Sequence, residues 1–74
     1  MKFLRNSSRA INIAHVIDIT VSANYLVLST IDGREEKFIY GPEDKLMCLM
    51  SAVLAFIAEP ETHVLDCDEY MLSL

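Results

Sequence analysis

The sequence has 74 residues, of which 53% are hydrophobic and 23% charged, and its formal net charge is −5. A chain of this length buries only about 60% of the surface that its unfolded form exposes, so we expect residues 1–74 to form one small domain. The apolar content excludes intrinsic disorder. The order of predicted elements is β-β-β-α-β, which indicates an α+β fold with an antiparallel three- to four-stranded sheet packed on one apolar helix.

The cysteine count and the apolar runs bear on where the protein works. Cys48 and Cys67 are too few for a disulfide framework. Residues 1–9 lack the apolar run of about 7–15 residues that a signal peptide needs. The longest apolar run, Leu46–Ala58, is shorter than the roughly 20 residues that cross a bilayer. We therefore expect an acidic, cytoplasmic protein with reduced thiols that does not enter a membrane.

The first half of the chain carries strand and turn signals. Residues 1–9 are basic and are interpreted as an arm, and residues 10–40 are rich in β-branched and alternating residues, which predicts a three-stranded meander. A kink or short turn is expected within residues 12–15. Ser22–Asn24 is predicted to form a three-residue turn. Asp32-Gly33 favours a two-residue type I′ hairpin turn.

These turn lengths decide which side chains face the core, because side chains alternate along a strand. A two-residue loop at Asp32-Gly33 places Tyr25 opposite Tyr40 and Val27 opposite Phe38. The predicted core face holds Ile17, Ile19, Val21, Tyr25, Val27, Phe38 and Tyr40. The opposite, partly polar face carries Leu26, Leu28 and Ile39, which we consider as a second contact surface.

A helix is predicted over residues 42–58. Pro42 suits the first turn of a helix, Glu43 and Asp44 favour its positive end, and Pro60 disfavours helical geometry at the residue before it. The residues predicted to pack on the sheet are Leu46, Leu49, Met50, Val53, Leu54 and Ile57. No charged residue lies between Lys45 and Glu59. Since a helix that is apolar all round is buried on more than one side, a second contact is expected.

That second contact is predicted to be a homodimer interface. The residues assigned to it are Met47, Cys48, Ser51, Ala52, Ala55 and Phe56. Small residues let two helices approach closely, and one patch can meet its own copy about a two-fold axis. In the alternative, the same face is covered by the ends of the chain itself, through Phe3, Leu4, Met71, Leu72 and Leu74.

The C-terminal segment is predicted to contain a short strand over residues 62–66 and a tail that is either a helical turn or extended. His63 and Cys67 are four positions apart, but structural zinc needs four well-spaced ligands and only one thiol and one imidazole occur here. Cys48 lies in the apolar helix without a neighbouring base and is assigned to packing. We therefore assign no catalytic residue, metal ligand or cofactor-binding residue.

These observations favour a small non-enzymatic protein-interaction or regulatory accessory module that self-associates through its helix. The alternative is a nucleic-acid-binding regulator that uses the basic N-terminal arm, which holds Lys2, Arg5 and Arg9. Binding to phosphates requires a clustered positive field, whereas residues 42–74 hold seven acids against one lysine. The charge distribution therefore makes nucleic acid the less favoured partner.

Overall fold

The computed structural model describes residues 1–74, which form six strands and two helices. In chain order these are β1 (Phe3–Arg5), β2 (Ala10–Asn12), β3 (Val16–Ser22), β4 (Tyr25–Thr30), β5 (Glu35–Tyr40), α1 (Glu43–Ala58), β6 (Val64–Asp66) and α2 (Cys67–Leu72). The strands form two three-stranded sheets, and the antiparallel one packs against α1. The predicted α+β class with an antiparallel sheet on an apolar helix is confirmed.

The antiparallel sheet is the meander β3-β4-β5, and both of its turns differ from prediction by one residue. Ala23 and Asn24 have φ values of 51° and 63°, so they alone connect Ser22 to Tyr25 in a two-residue turn of type I′ character. The second turn has three residues, 31–33, because the N–H of Thr30 bonds to the carbonyl of Arg34. In it, only Gly33 has positive φ, at 87°.

Because of these turn lengths, the face of β4 that packs in the core is the one that was predicted to lie outside. Tyr25 lies opposite Tyr40 as predicted, but a bulge at Phe38 places Val27 opposite Lys37. The fully buried side chains are those of Leu26 and Leu28. The assignment of Tyr25, Val27 and Tyr40 to the core is therefore wrong, and Tyr40 is 66% exposed. The assignment of Ile17 to the core is wrong as well, because its side chain is exposed.

The outer contact surface predicted from Leu26, Leu28 and Ile39 is wrong for the same reason. All three side chains belong to the hydrophobic core. Ile39 is buried together with Phe38, because the bulge lets two consecutive residues of β5 face inward.

The predicted arm contains the central strand of the second sheet, in which β1 pairs antiparallel with β2 and parallel with β6. Leu4 in β1 is fully buried. The prediction of an arm over residues 1–9 is therefore wrong: a strand distant in sequence, β6, supplies the partner that orders this segment. The kink expected within residues 12–15 is a 3₁₀ turn at Ile13–His15, which leads the chain from one sheet to the other.

Helix α1 begins at Glu43 and ends at Ala58, within one residue of prediction. The side of α1 that packs inward is rotated about the helix axis relative to the predicted one. The buried residues are Leu46, Leu49, Val53 and Phe56, whereas Leu54 is 57% and Ile57 43% exposed. A helix without charged side chains along its middle has no polar face to fix its rotation, so packing shape decides it.

The C-terminal tail was predicted to be either a helical turn or extended, and it is helical. The Asp66 side chain accepts the N–H of Glu69 as an N-cap of α2. Cys67 is fully buried at the start of this helix. None of the helices has the length and apolar character needed to cross a membrane.

Candidate interaction surface

An open apolar groove lies between α1 and β3, with a volume of about 490 Å³. Its lining residues are Ile13, Ala14, Val16, Ile17, Asp18, Ile19, Met50, Leu54 and Ile57. Asp18 is the single charged residue among them. We call this feature the apolar groove.

The groove is apolar because of two local features of the chain. Leu54 and Ile57 are exposed and line the groove, since other residues of α1 occupy its buried side. On the opposite wall, Val16 pairs with Thr30 and Asp18 with Ser29, so Ile17 is an extra residue in the ladder. The Ile17 side chain is 68% exposed as a result. Exposed apolar residues that cluster in this way are typical of interaction sites.

The groove borders an unpaired strand edge. In the meander, β3 and β5 are the two edge strands. The β5 edge is protected, because the Asn6 amide donates to the Phe38 carbonyl at 2.7 Å and Arg9 pairs with Glu36 at 2.6 Å. On its free side β3 pairs with no strand. Unpaired edges without such protection are sites where another strand can add.

The helix surface predicted as a dimer interface lies beside this groove, on the side of α1 that faces solvent. Met47, Cys48, Ser51 and Ala55 are exposed there, and Ala52 is half-buried. The inclusion of Phe56 is wrong, because its side chain packs in the core and is only 6% exposed.

The ends of the chain do not seal that surface. Leu4 and Met71 pack in or against the core, whereas Leu72 is 87% exposed. The Tyr70 hydroxyl of α2 donates a hydrogen bond to the Cys48 carbonyl at 3.4 Å. The two exposed sides of α1 therefore remain candidate contact surfaces.

The basic residues of the N-terminal segment are engaged within the chain. Lys2 donates to the carbonyls of Phe56 and Thr62, each at 2.7 Å, and to that of Glu59. Arg5 lies 3.6 Å from the Asp66 carboxylate and Arg9 pairs with Glu36. The charges of Arg5 and Arg9 are thus partly neutralised by carboxylates, and the ammonium of Lys2 is engaged by carbonyl oxygens, which weakens the positive field that nucleic acid would need.

The thiol and imidazole groups of the C-terminal segment are not arranged as a site. Burial, together with the charges of Asp66 and Asp68, raises the pKa of the Cys67 thiol to about 12, so its nucleophilic thiolate is strongly disfavoured. His63 is exposed. Nowhere do three His, Cys, Asp or Glu side chains converge as a metal centre would require.

The apolar groove itself was not predicted from the sequence. The bulge at Ile17 has no distinct residue pattern, and together with the 3₁₀ turn at Ile13–His15 it supplies one of the two walls of the groove. The signal that pointed to this region was the excess of apolar residues on α1, which predicted a contact without giving its direction.

No family model, curated protein or solved structure matches this chain. The function is therefore inferred from the surfaces described above.

Proposed function

We propose that this chain is a small non-enzymatic protein-interaction module that self-associates through the side of α1 that lines the apolar groove. The observation that carries the proposal is the apolar groove, in which Leu54 and Ile57 of the helix face Ile17 across a surface with one charged residue. Water in such a groove has almost no polar partner, so its displacement by an apolar surface is favourable.

The size of the effect indicates what kind of association to expect. Full burial of a Leu or Ile side chain contributes about 1.5–3 kcal/mol, so each roughly half-exposed side chain contributes about 1 kcal/mol. Two copies that each bury Ile17, Leu54 and Ile57 would gain on the order of 6 kcal/mol. Association costs about 4–15 kcal/mol in lost freedom, so the apolar contact needs additional bonds to give a stable complex.

We propose that the module works in the cytoplasm. Both cysteines are free thiols, and Cys48 is exposed. A reducing compartment keeps such a thiol from forming intermolecular disulfides. The exposed solvent side of α1 then remains available as a second surface for an accessory or regulatory partner.

The test compares two glutamate substitutions on the same helix. Leu54→Glu places a charge in the apolar groove, and Ser51→Glu places the same charge on the solvent side of α1. Both positions are exposed, so both variants are expected to keep the circular dichroism spectrum of the wild type. Sedimentation equilibrium over a wide concentration range should show a concentration-dependent dimer for the wild type and Ser51→Glu, and a monomer for Leu54→Glu.

Two outcomes would contradict the proposal in different ways. A wild-type chain that stays monomeric at every concentration would show that it does not self-associate. If Ser51→Glu were monomeric and Leu54→Glu dimeric, the contact would lie on the surface formed by Met47, Cys48, Ser51, Ala52 and Ala55 instead of in the groove.

A further inference from the structure

We infer that the partner in the apolar groove is a second copy of this chain, joined to the first edge to edge at β3, with the two-fold axis beside Ile19. The inference rests on the proposed function and adds the contact that its energetics require. It makes the two meanders one continuous six-stranded antiparallel sheet.

The backbone of β3 has hydrogen-bonding groups for this contact. A type I′ turn is closed by a hydrogen bond between its flanking residues, here Ser22 and Tyr25. Hydrogen-bonded and non-hydrogen-bonded pairs alternate along an antiparallel ladder, so Thr20 also bonds to β4. Ile19 and Val21 belong to the non-hydrogen-bonded pairs, and their N–H and C=O groups therefore point to the free edge. They are directed at the place where another strand would lie.

The sequence of β3 is complementary to itself about an axis beside Ile19. In an antiparallel pairing centred there, Ile17 lies opposite the partner subunit's Val21, and Asp18 lies opposite the partner subunit's Thr20. In the central pairs apolar residues meet apolar residues and the strand's one charged residue meets a hydroxyl, and only the end pair is mixed, with Val16 opposite the partner subunit's Ser22.

Shifting the axis makes this pairing worse. An axis beside Asp18 brings two carboxylates directly opposite each other, which is destabilising. An axis beside Thr20 places Ile17 opposite the turn residue Ala23 and moves the axis out of the apolar groove, which Ile17 and Ile19 line. The axis beside Ile19 therefore uses both the strand edge and the groove.

The same axis closes the apolar groove. A two-fold axis between antiparallel strands is perpendicular to their sheet, so both α1 helices lie on one face of the joined sheet. The flank of each helix, formed by Met50, Leu54 and Ile57, then faces the groove of the other copy. Although each chain has a net charge of −5, neither this flank nor β3 carries an acid apart from Asp18. Repulsion at the contact is thus small.

Hydrogen exchange of single amides tests the strand contact. In the wild type, exchange at Ile19 and Val21 should slow as the protein concentration rises, by about tenfold when nine-tenths of the chains are paired, because only the monomer then exchanges. Thr20 and Ser22 bond to β4 in both states and serve as internal controls. In Leu54→Glu, Ile19 and Val21 should exchange fast at every concentration.

A charge-reversal series tests the register. Thr20→Glu places a second acid opposite the partner subunit's Asp18 at two symmetric positions and should weaken dimerisation by roughly 2- to 30-fold. The double variant Asp18→Lys, Thr20→Glu pairs opposite charges at the same positions and should restore the wild-type affinity. A loss of affinity that comes only from disturbed folding would not be rescued in this way.

The outcomes separate this inference from the proposed function. If the wild type dimerises through the groove while Ile19 and Val21 show no concentration-dependent protection, the strand contact is overturned and the interaction module stands. Failure of the double variant to recover affinity would overturn the register. A chain that never dimerises would overturn both.

Discussion

The ammonium of Lys2 lies 4.4 Å from the centroid of the Phe56 ring and donates to carbonyl oxygens at and just beyond the C-terminal end of α1. The last carbonyls of a helix have no partner within the helix, and a cation is favourable at this end of its dipole. No residue of the last turn of α1 is basic. A residue beside β1 therefore supplies the C-terminal cation that α1 lacks.

Replacing Lys2 with Met should destabilise the fold. The change keeps the apolar stem and removes the charge that bonds to Phe56, Glu59 and Thr62, at an expected cost of about 1.5–3 kcal/mol in the free energy of unfolding. Urea denaturation measures the effect. Lys45→Met is the matched control, because Lys45 lies in the first turn of α1, at the other end of the helix, and its replacement should change stability by less than about 0.5 kcal/mol. Equal effects of the two substitutions would show that Lys2 does not stabilise the end of the helix.

The identity of the core face can be tested with two leucines. Leu28 is fully buried and Leu72 is 87% exposed. Leu28→Ala should cost about 2–5 kcal/mol because it removes core contacts and leaves a cavity, whereas Leu72→Ala should stay within about 0.5 kcal/mol of the wild type. Thermal unfolding followed by circular dichroism distinguishes the two. A mild effect at Leu28 would mean that β4 presents its other face to α1.

The reversed face of β4 shows how far the sequence determines this fold. The turns after Ser22 and Thr30 were expected in the right places, because Asn24 and Gly33 tolerate positive φ. Each turn length was wrong by one residue. Since side chains alternate with a period of two, an error of one residue exchanges the buried and exposed faces. The fold class and the order of meander, helix and short strand could be predicted, but the strands β1 and β2 of the second sheet and the identity of the core face could not.

The candidate surface was predictable to a similar degree. The excess of apolar residues on α1 indicated a contact, and most of the residues expected on its solvent side are exposed there. The groove depends on the bulge at Ile17 and on the rotation that buries Phe56 in place of Leu54. Both depend on packing between elements, and the residue pattern of a single helix or strand does not show how it packs against its neighbours.

One substitution in each turn of the meander should change the free energy of unfolding, and the two changes should have opposite signs. Ala23 has a φ of 51°, a conformation that costs a residue with a Cβ atom about 1–2 kcal/mol, so Ala23→Gly should raise the free energy of unfolding by roughly 0.5–1 kcal/mol. Gly33 has a φ of 87°, and a Cβ atom added there meets nothing within 4 Å. Gly33→Ala should therefore lower stability by about 1 kcal/mol through the backbone alone. Urea midpoints that move in the same direction for both variants would refute this account.

Two carboxylates have pKa values that folding lowers, and from them we predict how the stability of the fold changes in acid. A hydrogen bond from the Thr30 hydroxyl, with help from Arg34, lowers the pKa of Asp32 to about 2. Bonds from the Thr62 side chain and the N–H groups of Glu61 and Thr62 lower the pKa of Glu59 to about 2. Both groups have pKa values of about 4 in an unfolded chain.

A carboxylate whose pKa is lowered by folding stabilises the fold above its unfolded pKa, and this contribution is lost as the pH falls toward the folded value. Stability should therefore decline between about pH 4 and about pH 2. Urea unfolding at several pH values measures the decline, and the double variant Asp32→Asn, Glu59→Gln should flatten part of it. An unchanged pH profile in that variant would mean that other groups cause the loss.

The parallel pairing of β1 with β6 makes the two ends of the chain depend on each other. Lys2 and Thr62, which bond at one end of this pair, are 60 positions apart, and contacts so distant along the chain form slowly compared with those of neighbouring strands. We expect the meander to assemble early and the β1–β6 pair to close late in folding. Because β1 is the middle strand of its sheet, a protease that removed residues 1–5 would also leave β2 and β6 without their shared neighbour. Damage at one terminus should therefore loosen the other.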